Sequence, residues 1–384
     1  MKRSGLIFLE GISGAGKDSY DDWITGYFAN LGIQTRFFTE PSVFRHVTEA
    51  YKRLPQSERD PEVEAMLFTA DRKQQFNTSI KPLIGSSHGV VVMKRSFLSS
   101  LAYQAKTDDE VAKIRAMNHF FPDPDLSAVF LCDPQTALSR IQGRDKEVSP
   151  DETLKKITML KGRYEHLATA LPDLNIKLIS ADASFGAVQY QLRSHFNKLM
   201  GVPMERAVFL DKDGTLVDNS EYPAIVPTDK IYFDQTVEGL RSLQGAGYKL
   251  IIISSQPWVG RGRLSPVQVE DAFKSVAAQY AEKGIIIDAY YYCPHQRPEE
   301  GGVDCECKKP KTGLLEQAAE RFNIDTSRSY FVGDRSDDIL TGRNFGLETC
   351  LVTMSKGDIS GLGDVKPTYL HRDVNAFARA LKKD

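Results

Sequence analysis

The heptapeptide Gly11-Ile12-Ser13-Gly14-Ala15-Gly16-Lys17 directly follows the short apolar run Leu6-Ile7-Phe8-Leu9. Glycines at this spacing let backbone N–H groups curl around an anion. A helix opening at the lysine would add its N-terminal partial charge. The pattern is G-x-x-x-x-G-K, that of a P-loop, whose lysine reaches the outer phosphates of a nucleotide. A buried strand, an anion-holding turn and a helix in that order predict a parallel sheet covered on both faces. A second opening of this kind begins at Arg206. There the run Arg206-Ala207-Val208-Phe209-Leu210 ends in Asp211-Lys212-Asp213-Gly214-Thr215.

Each opening is followed by more short apolar runs with helix-like segments between them. The first half has Gly89–Met93 and Ala128–Leu131. The second has Lys249–Ile253, Ala289–Tyr292 and Tyr330–Val332. This is βαβ logic twice over. It predicts one domain over residues 1–200 and another over 204–384, joined by Gly201-Val202-Pro203. With 41% apolar and 26% charged residues in 384, the composition is that of globular domains and argues against disorder or a disulfide miniprotein. The first apolar run stops at Glu10, too short for a secretory signal, and no stretch approaches the ~18 apolar residues of a membrane span. A cytoplasmic enzyme is expected. Residues 1–200 carry 26 basic and 24 acidic side chains, and residues 201–384 carry 23 and 27. Neither half is a basic module, so bulk charge does not favour nucleic acid, though a local basic groove stays open.

Further stretches of the first half resemble the thymidylate kinase family, over roughly residues 1–198. Thr69-Ala70-Asp71-Arg72 is similar to the family's Ala-x-Arg segment, whose arginine holds the acceptor monophosphate. Arg95-Ser96-Phe97-Leu98-Ser99-Ser100-Leu101-Ala102-Tyr103-Gln104 is similar to the segment that reads the acceptor nucleoside. Arg140–Arg144 looks like the start of a mobile lid. The resemblance implies ATP held by Gly11, Ser13, Gly14, Gly16, Lys17, Asp18, Ser19 and Arg144. It implies an acceptor held by Glu40, Arg72, Ser99, Ser100 and Gln104, with Lys17 and Arg95 at the transferring phosphoryl group. It also implies a homodimer formed through this domain.

The chain departs from the family in three places. Phe38-Thr39-Glu40-Pro41-Ser42-Val43 stands for Thr-Arg-Glu-Pro-Gly-Gly and loses an arginine. Asp18 replaces the P-loop hydroxyl that ligates Mg²⁺. Lys94 replaces the aspartate that precedes Arg95. An Asp18–Lys94 ion pair would reconcile the last two, with Lys94 taking part of the metal's place. Two independent substitutions in a repurposed site are the other explanation.

In the second half, Asp211 and Asp213 stand two residues apart at a strand end, where they can share Mg²⁺. One can attack phosphorus while the other handles the leaving-group proton. Ser254 and Lys309 follow or precede later strands and can bond or neutralise phosphoryl oxygens. Asp334 can complete the Mg²⁺ shell, with Asp337 and Asp338 nearby. Together these motifs resemble the haloacid dehalogenase superfamily of phosphatases. Cys293-Pro294-His295 and Cys305-Glu306-Cys307 supply three thiolates and an imidazole, a set suited to a closed, structural Zn²⁺. This knuckle and Gln256–Gly262 are similar to the branch containing histidinol-phosphate phosphatase and D-glycero-D-manno-heptose-1,7-bisphosphate phosphatase. Lys308 stands for that branch's arginine. Arg261 and Lys308 are expected at the substrate rim. The intervals from Asp211 to Ser254 and from Ser254 to Lys309 leave no room for a large cap.

The expected architecture is α/β: a P-loop kinase parallel-sheet domain followed by a capless Rossmann-like haloacid dehalogenase domain with a zinc loop. The resemblances imply a bifunctional kinase–phosphatase acting on small phosphorylated substrates with ATP, Mg²⁺ and Zn²⁺. A polynucleotide kinase–phosphatase, and a phosphatase regulated by an inactive nucleotide-binding domain, are the alternatives.

Overall fold

The computed structural model describes residues 4–84, 89–144, 152–218, 233–354, 359–363 and 365–382. The lid expected to continue beyond Arg144 lies outside them. The chain divides into two compact units, Met1–Asp182 with His195–Val202, and Ala183–Ser194 with Pro203–Asp384. Helix Phe185–Met200 contributes its first part to the second unit and its last part to the first.

The first unit is built on a five-stranded sheet of β1 (Gly5–Gly11), β2 (Gln34–Thr39), β3 (Gly89–Lys94), β4 (Leu126–Leu131) and β5 (Ile176–Ser180). All pairings are parallel, in the order β2-β3-β1-β4-β5. The three central strands have continuous apolar runs because helices cover both faces: Ile7, Phe8, Leu9, Val90, Val92, Val129 and Phe130 are fully buried. Phe8 packs edge-on against Phe97 at 5.3 Å and beside Phe121. This aromatic contact fixes helix Phe97–Tyr103 against the sheet. Ser96 caps that helix, accepting from the Leu98 N–H at 3.2 Å.

The second unit holds a six-stranded sheet of β6 (Arg206–Leu210), β7 (Tyr248–Ser255), β8 (Ala289–Cys293), β9 (Tyr330–Gly333), β10 (Glu348–Val352) and β11 (Tyr369–His371). It too is parallel, in the order β11-β10-β9-β6-β7-β8. Side chains alternate along β6. Val208 and Leu210 join the core on one face, and Ala207 and Phe209 the core on the other. Both sheets begin their chain order at an inner strand. The next connections therefore leave in opposite directions, opening a crevice beyond the carboxyl ends of β1 and β6. The P-loop and Asp211 follow these two strands.

Phe209 is fully buried at the centre of its cluster. Phe209→Ala should cost about 3–5 kcal/mol through lost transfer energy and the cavity left behind. Equilibrium urea denaturation measures this, and a loss below about 1 kcal/mol would contradict the packing described.

Candidate functional site

In the first unit the P-loop runs from the end of β1 into a single 3₁₀ turn, Lys17–Tyr20, and then helix Asp21–Asn30. Gly14 adopts φ 82°, and a Cβ there would collide with the Ala137 carbonyl, so only glycine fits. Lys17 is pulled down to about 8, first by burial and then by the neighbouring Arg95 charge. Ser19 lies within the 3₁₀ turn, its N–H donating to the Gly16 carbonyl at 3.1 Å.

Arg95 is a non-glycine residue in the left-handed region, at φ 74°. That conformation costs on the order of 1–3 kcal/mol and persists only where the surroundings enforce it. Here it turns the guanidinium to the P-loop, donating to the Gly11 carbonyl at 2.8 Å and to Ser99 Oγ at 3.4 Å. Glu10, a site residue that the sequence reading missed, is fully buried beneath this group. It accepts from Ser96 Oγ at 2.7 Å, Ser99 Oγ at 2.5 Å and Tyr164 at 3.2 Å. Its sequence signal was a glutamate breaking an otherwise apolar strand.

Lys94 ends β3 and does meet Asp18, at 3.5 Å, but its nearer partner is Asp21 at 2.5 Å. The expected pair is thus a three-residue group, with Lys94 between two carboxylates. Asp18 is largely exposed and also lies 3.6 Å from Lys17. Burial pushes its carboxyl up, but Lys17 and Lys94 outweigh that and hold it below its ordinary range.

Arg72 is the largest fully buried side chain among the described residues. Its Nε and Nη2 donate to the two Glu40 oxygens at 2.8 and 2.5 Å, and Nη1 donates to Asn118 Oδ1 at 2.6 Å. Ser100 Oγ lies 3.4 Å from Nη2. Arg72 lines the cavity expected for the acceptor while also holding Glu40 and Asn118. Burial raises the Glu40 carboxyl to about 7 against the pull of Arg72. These residues border a cavity of about 820 Å³, which Ser13, Phe68, Arg95, Ser99, Tyr103 and Gln104 also line. The Gln104 Oε1 is buried and accepts no hydrogen bond from the described residues. Arg144 lies 3.8 Å from Glu152, which also lines this cavity.

In the second unit, Lys309 is buried between two carboxylates. Its Nζ donates to Asp211 Oδ1 at 2.6 Å, Asp338 Oδ1 at 2.5 Å and the Ile253 carbonyl at 3.4 Å. Burial pushes the Asp211 carboxyl well above its usual range, against Lys309 and with Asp338 adding to the rise. Donor atoms of Asp211, Asp334 and Asp338 all lie within 4.8 Å of one another. Hard, buried oxygen donors in this number fit Mg²⁺.

The Asp213 carboxylate, expected in that group, turns away to the ammonium of Lys212 and to Gln256, whose Nε2 donates at 2.9 Å. The same Nε2 donates to Ser254 Oγ at 2.9 Å. Asp338 and Gln256 are thus site residues to which sequence reasoning gave no role, though both adjoin recognised motifs. Lys308 donates to the His295 carbonyl at 3.0 Å. Arg261 lies over Trp258 and pairs with Glu300 at 2.6 Å, and Arg297 pairs with Asp337 at 2.6 Å. Together they rim a cavity of about 370 Å³ floored by Asp211, Asp213 and Lys309.

Cys293, His295, Cys305 and Cys307 converge beside it. The Cys293–Cys305 and Cys305–Cys307 sulfurs lie 3.7 and 3.4 Å apart, and His295 Nδ1 lies 3.6 Å from Cys293 and 3.3 Å from Cys307. A tetrahedron with Zn–S bonds of about 2.3 Å has edges of roughly 3.8 Å, so the four donors fit zinc.

The geometry around Lys94 ranks its two partners. In double-mutant cycles followed by chemical denaturation, Lys94–Asp21 should show coupling of about 0.5–1 kcal/mol, and Lys94–Asp18 less than about 0.5 kcal/mol. Equal coupling, or the reverse order, would contradict this ranking.

Comparison with known proteins follows the same division. The thymidylate kinase family model matches residues 9–192, and a HAD-hydrolase-like model matches residues 306–377. D-glycero-beta-D-manno-heptose-1,7-bisphosphate 7-phosphatase of Pasteurella multocida is 31% identical over 182 residues, 47% of this chain and 98% of the relative. The Haemophilus influenzae enzyme of that name is 32% identical over 183 residues, again 47% and 98%. A probable D-glycero-D-manno-heptose-1,7-bisphosphate 7-phosphatase of Thermoplasma acidophilum is 37% identical over 149 residues, 38% of this chain and 90% of the relative. Among solved structures, D,D-heptose 1.7-bisphosphate phosphatase from B. bronchiseptica, complexed with magnesium and phosphate, covers 46% of this chain and 98% of its own, at 22% identity and a TM-score of 0.40. No helix among the described residues is long and apolar enough to cross a membrane. The chain is a kinase-like and phosphomonoesterase enzyme that joins a thymidylate kinase family domain to a phosphatase of the HAD-like hydrolases.

Proposed function

We propose that the two units catalyse two phosphoryl transfers. The first moves the γ-phosphoryl of ATP to a nucleoside monophosphate or a related small acceptor in the 820 Å³ cavity. The second hydrolyses a small phosphomonoester through phospho-Asp211. The observation that carries this reading is the buried Lys309 ammonium 2.6 Å from Asp211 at the floor of a cavity.

In the phosphatase unit a carboxylate oxygen of Asp211 attacks phosphorus, and the ester P–O bond breaks. Lys309 and Ser254 would meet the negative charge on the phosphoryl oxygens. Asp213, held by Gln256 and Lys212, gives the leaving oxygen its proton. It then takes a proton from the water that opens phospho-Asp211. Mg²⁺ held by Asp211 and Asp334 would supply further charge neutralisation. Arg261, Arg297, Lys308 and Arg335 line the small cavity, which favours a compact substrate with a second anionic group, such as the sugar bisphosphates named for its relatives. Lys308 offers a point charge where that branch has a bidentate arginine, so the preferred sugar can differ. A cytoplasmic setting keeps the zinc thiols reduced, and pairing of two chains through the kinase unit belongs to the same reading.

Asp211→Asn should lower phosphate release by roughly 10³-fold or more. Acid-quenched wild type should carry phosphate on the peptide containing Asp211. Wild-type turnover in the variant, with no labelled peptide, would rule out this nucleophile.

Protein purified without added metal should contain about one zinc per chain, as a closed four-ligand site retains its ion. Cys305→Ser with Cys307→Ser should lose it and lower the melting temperature of the second unit. Zinc content unchanged by the double substitution would dismiss the site.

A further inference from the structure

We propose that the acceptor of the first unit carries two separated anionic groups, one at the phosphate cradle and one held at the far end of the cavity by Lys52 and Arg59. The inference rests on the kinase reading above and narrows its acceptor to compounds with phosphates on two sides of a ring.

The charge of the cavity is the first argument. Among the described residues, eight basic and three acidic side chains line it. A single phosphate monoester brings a charge of about −1.5 to −2 near neutral pH. Three carboxylates and one such group fall short of eight basic side chains. A cleft with that excess concentrates a ligand of higher negative charge.

Helix Pro61–Gln75 sets the scale. Its Glu64, Phe68 and Arg72 all line the cavity, at i, i+4 and i+8, so they share one face and span about 12 Å along the axis. Arg72 marks the inner end. Ser100 Oγ lies 3.4 Å from its Nη2, and the neighbouring Ser99 Oγ accepts from Arg95 at 3.4 Å. Arg95 in turn donates to the Gly11 carbonyl, so an anion received here lies against the P-loop.

The outer end has its own cations. Arg59 stands just before the same helix. Lys52, the last residue of helix Arg45–Lys52, holds its Nζ 5.0 Å from the centre of the Phe68 ring. Glu64 is the acid on the helix at this end, so two basic side chains meet one carboxylate. Phe68 lies between the two ends and offers a ring face to the body of a ligand. Lys155 and Lys156 add positive charge from the first turn of helix Leu154–Ala170, whose N-terminal partial charge has the same sign.

The separation decides the class of ligand. The adjacent phosphates of a diphosphate would both crowd the inner end. Phosphates on two sides of a sugar ring reach both ends past Phe68. In the step, an oxygen of the inner phosphate bonds to Pγ of ATP. The Pγ–O bond to the β-phosphate breaks, and its electron pair leaves with ADP. The outer group passes through the reaction unchanged.

The test uses the full chain with Asp211→Asn, so that the second unit does not consume the product, and follows ADP release from ATP. Two pairs of acceptors are compared: thymidine 5′-monophosphate with thymidine 3′,5′-bisphosphate, and glucose 6-phosphate with glucose 1,6-bisphosphate. The pair that turns over separates a nucleoside from a sugar acceptor. Within it, the bisphosphate should show a KM about 10-fold lower or more, the scale of hydrogen bonds to charged groups. Raising the ionic strength should shrink that preference, because the outer end is open to solvent. Lys52→Gln with Arg59→Gln should bring the two KM values together, with the loss in KM and not in the kcat for the bisphosphate. Lys52→Gln alone, at an exposed position, should give part of the same loss. Lys73→Gln removes a cation of the same helix that does not line the cavity, and should keep the preference. Equal KM values in the Asp211→Asn parent, or a preference that survives the double substitution, would overturn the inference and leave the kinase reading standing. No ADP release with any of the four acceptors would overturn both.

Discussion

The second unit is organised around one buried ammonium group at the floor of its cavity. Lys309 spends its three donors on Asp211, Asp338 and the Ile253 carbonyl. Each of these ions alone would cost several kcal/mol to bury, and removing one partner would strand the others. The arrangement is tolerable only where every member is held in place. β6 delivers Asp211, and the Gly333 turn after β9 delivers Asp338. A Cβ at Gly333 would collide with the Asp338 side chain, and the Arg335 N–H fixes the second Asp338 oxygen at 3.0 Å. Parallel strands that end at one level bring these groups together. The sheet therefore supplies the precision, and the loops supply the chemistry.

The first unit solves a similar problem with different residues. Its fully buried cation is Arg72, paired bidentately with Glu40, and a second, partly buried one is Lys94, shared by Asp21 and Asp18. The two differ in consequence. Lys94 is partly buried, and its carboxylate partners Asp21 and Asp18 reach solvent, so the group mainly sets the local charge beside the P-loop. The Arg72 pair is dry, so its geometry is fixed, and burial pushes the Glu40 carboxyl up against the pull of Arg72. A substitution pattern that looks like decay in sequence therefore leaves a coherent polar network in space.

Much of this was legible in the sequence, for physical reasons that differ by residue. Strand β1, the P-loop and the Asp211 turn were readable because local chemistry dictates them: apolar runs buried on both sides, and glycines that nothing else can replace. The four zinc donors were readable because metal ligands are few in kind and close in spacing. What escaped were partners chosen by tertiary folding. Asp21 follows the P-loop and looks like any acidic first-turn residue, yet it is the nearer partner of Lys94. Glu10 sits in an apolar strand and gains meaning only when Ser96, Ser99 and Tyr164 arrive from elsewhere. Arg72 was readable as a site residue, but its bidentate hold on Glu40 was not, because sequence cannot show which groups folding brings together. Asp213 was assigned to the metal because two carboxylates at one strand end look equivalent. Lys212 and Gln256 make them unequal.

The zinc knuckle gains a role beyond holding a loop when its position is followed along the chain. Cys293 ends β8, and Cys307 stands two residues before Lys309. The ammonium at the centre of the phosphatase site is thus delivered by the segment that the knuckle ties down. Closing so polar a loop without an ion would cost conformational entropy that its few apolar contacts cannot offset. The same loop carries Glu300 and Arg297, which pair with Arg261 and Asp337 on either side of the cavity. A metal held by these four donors would therefore fix both the cation at the floor and the charged rim above it. Residues 294–307 thus link the four candidate metal donors to the charged rim of the cavity.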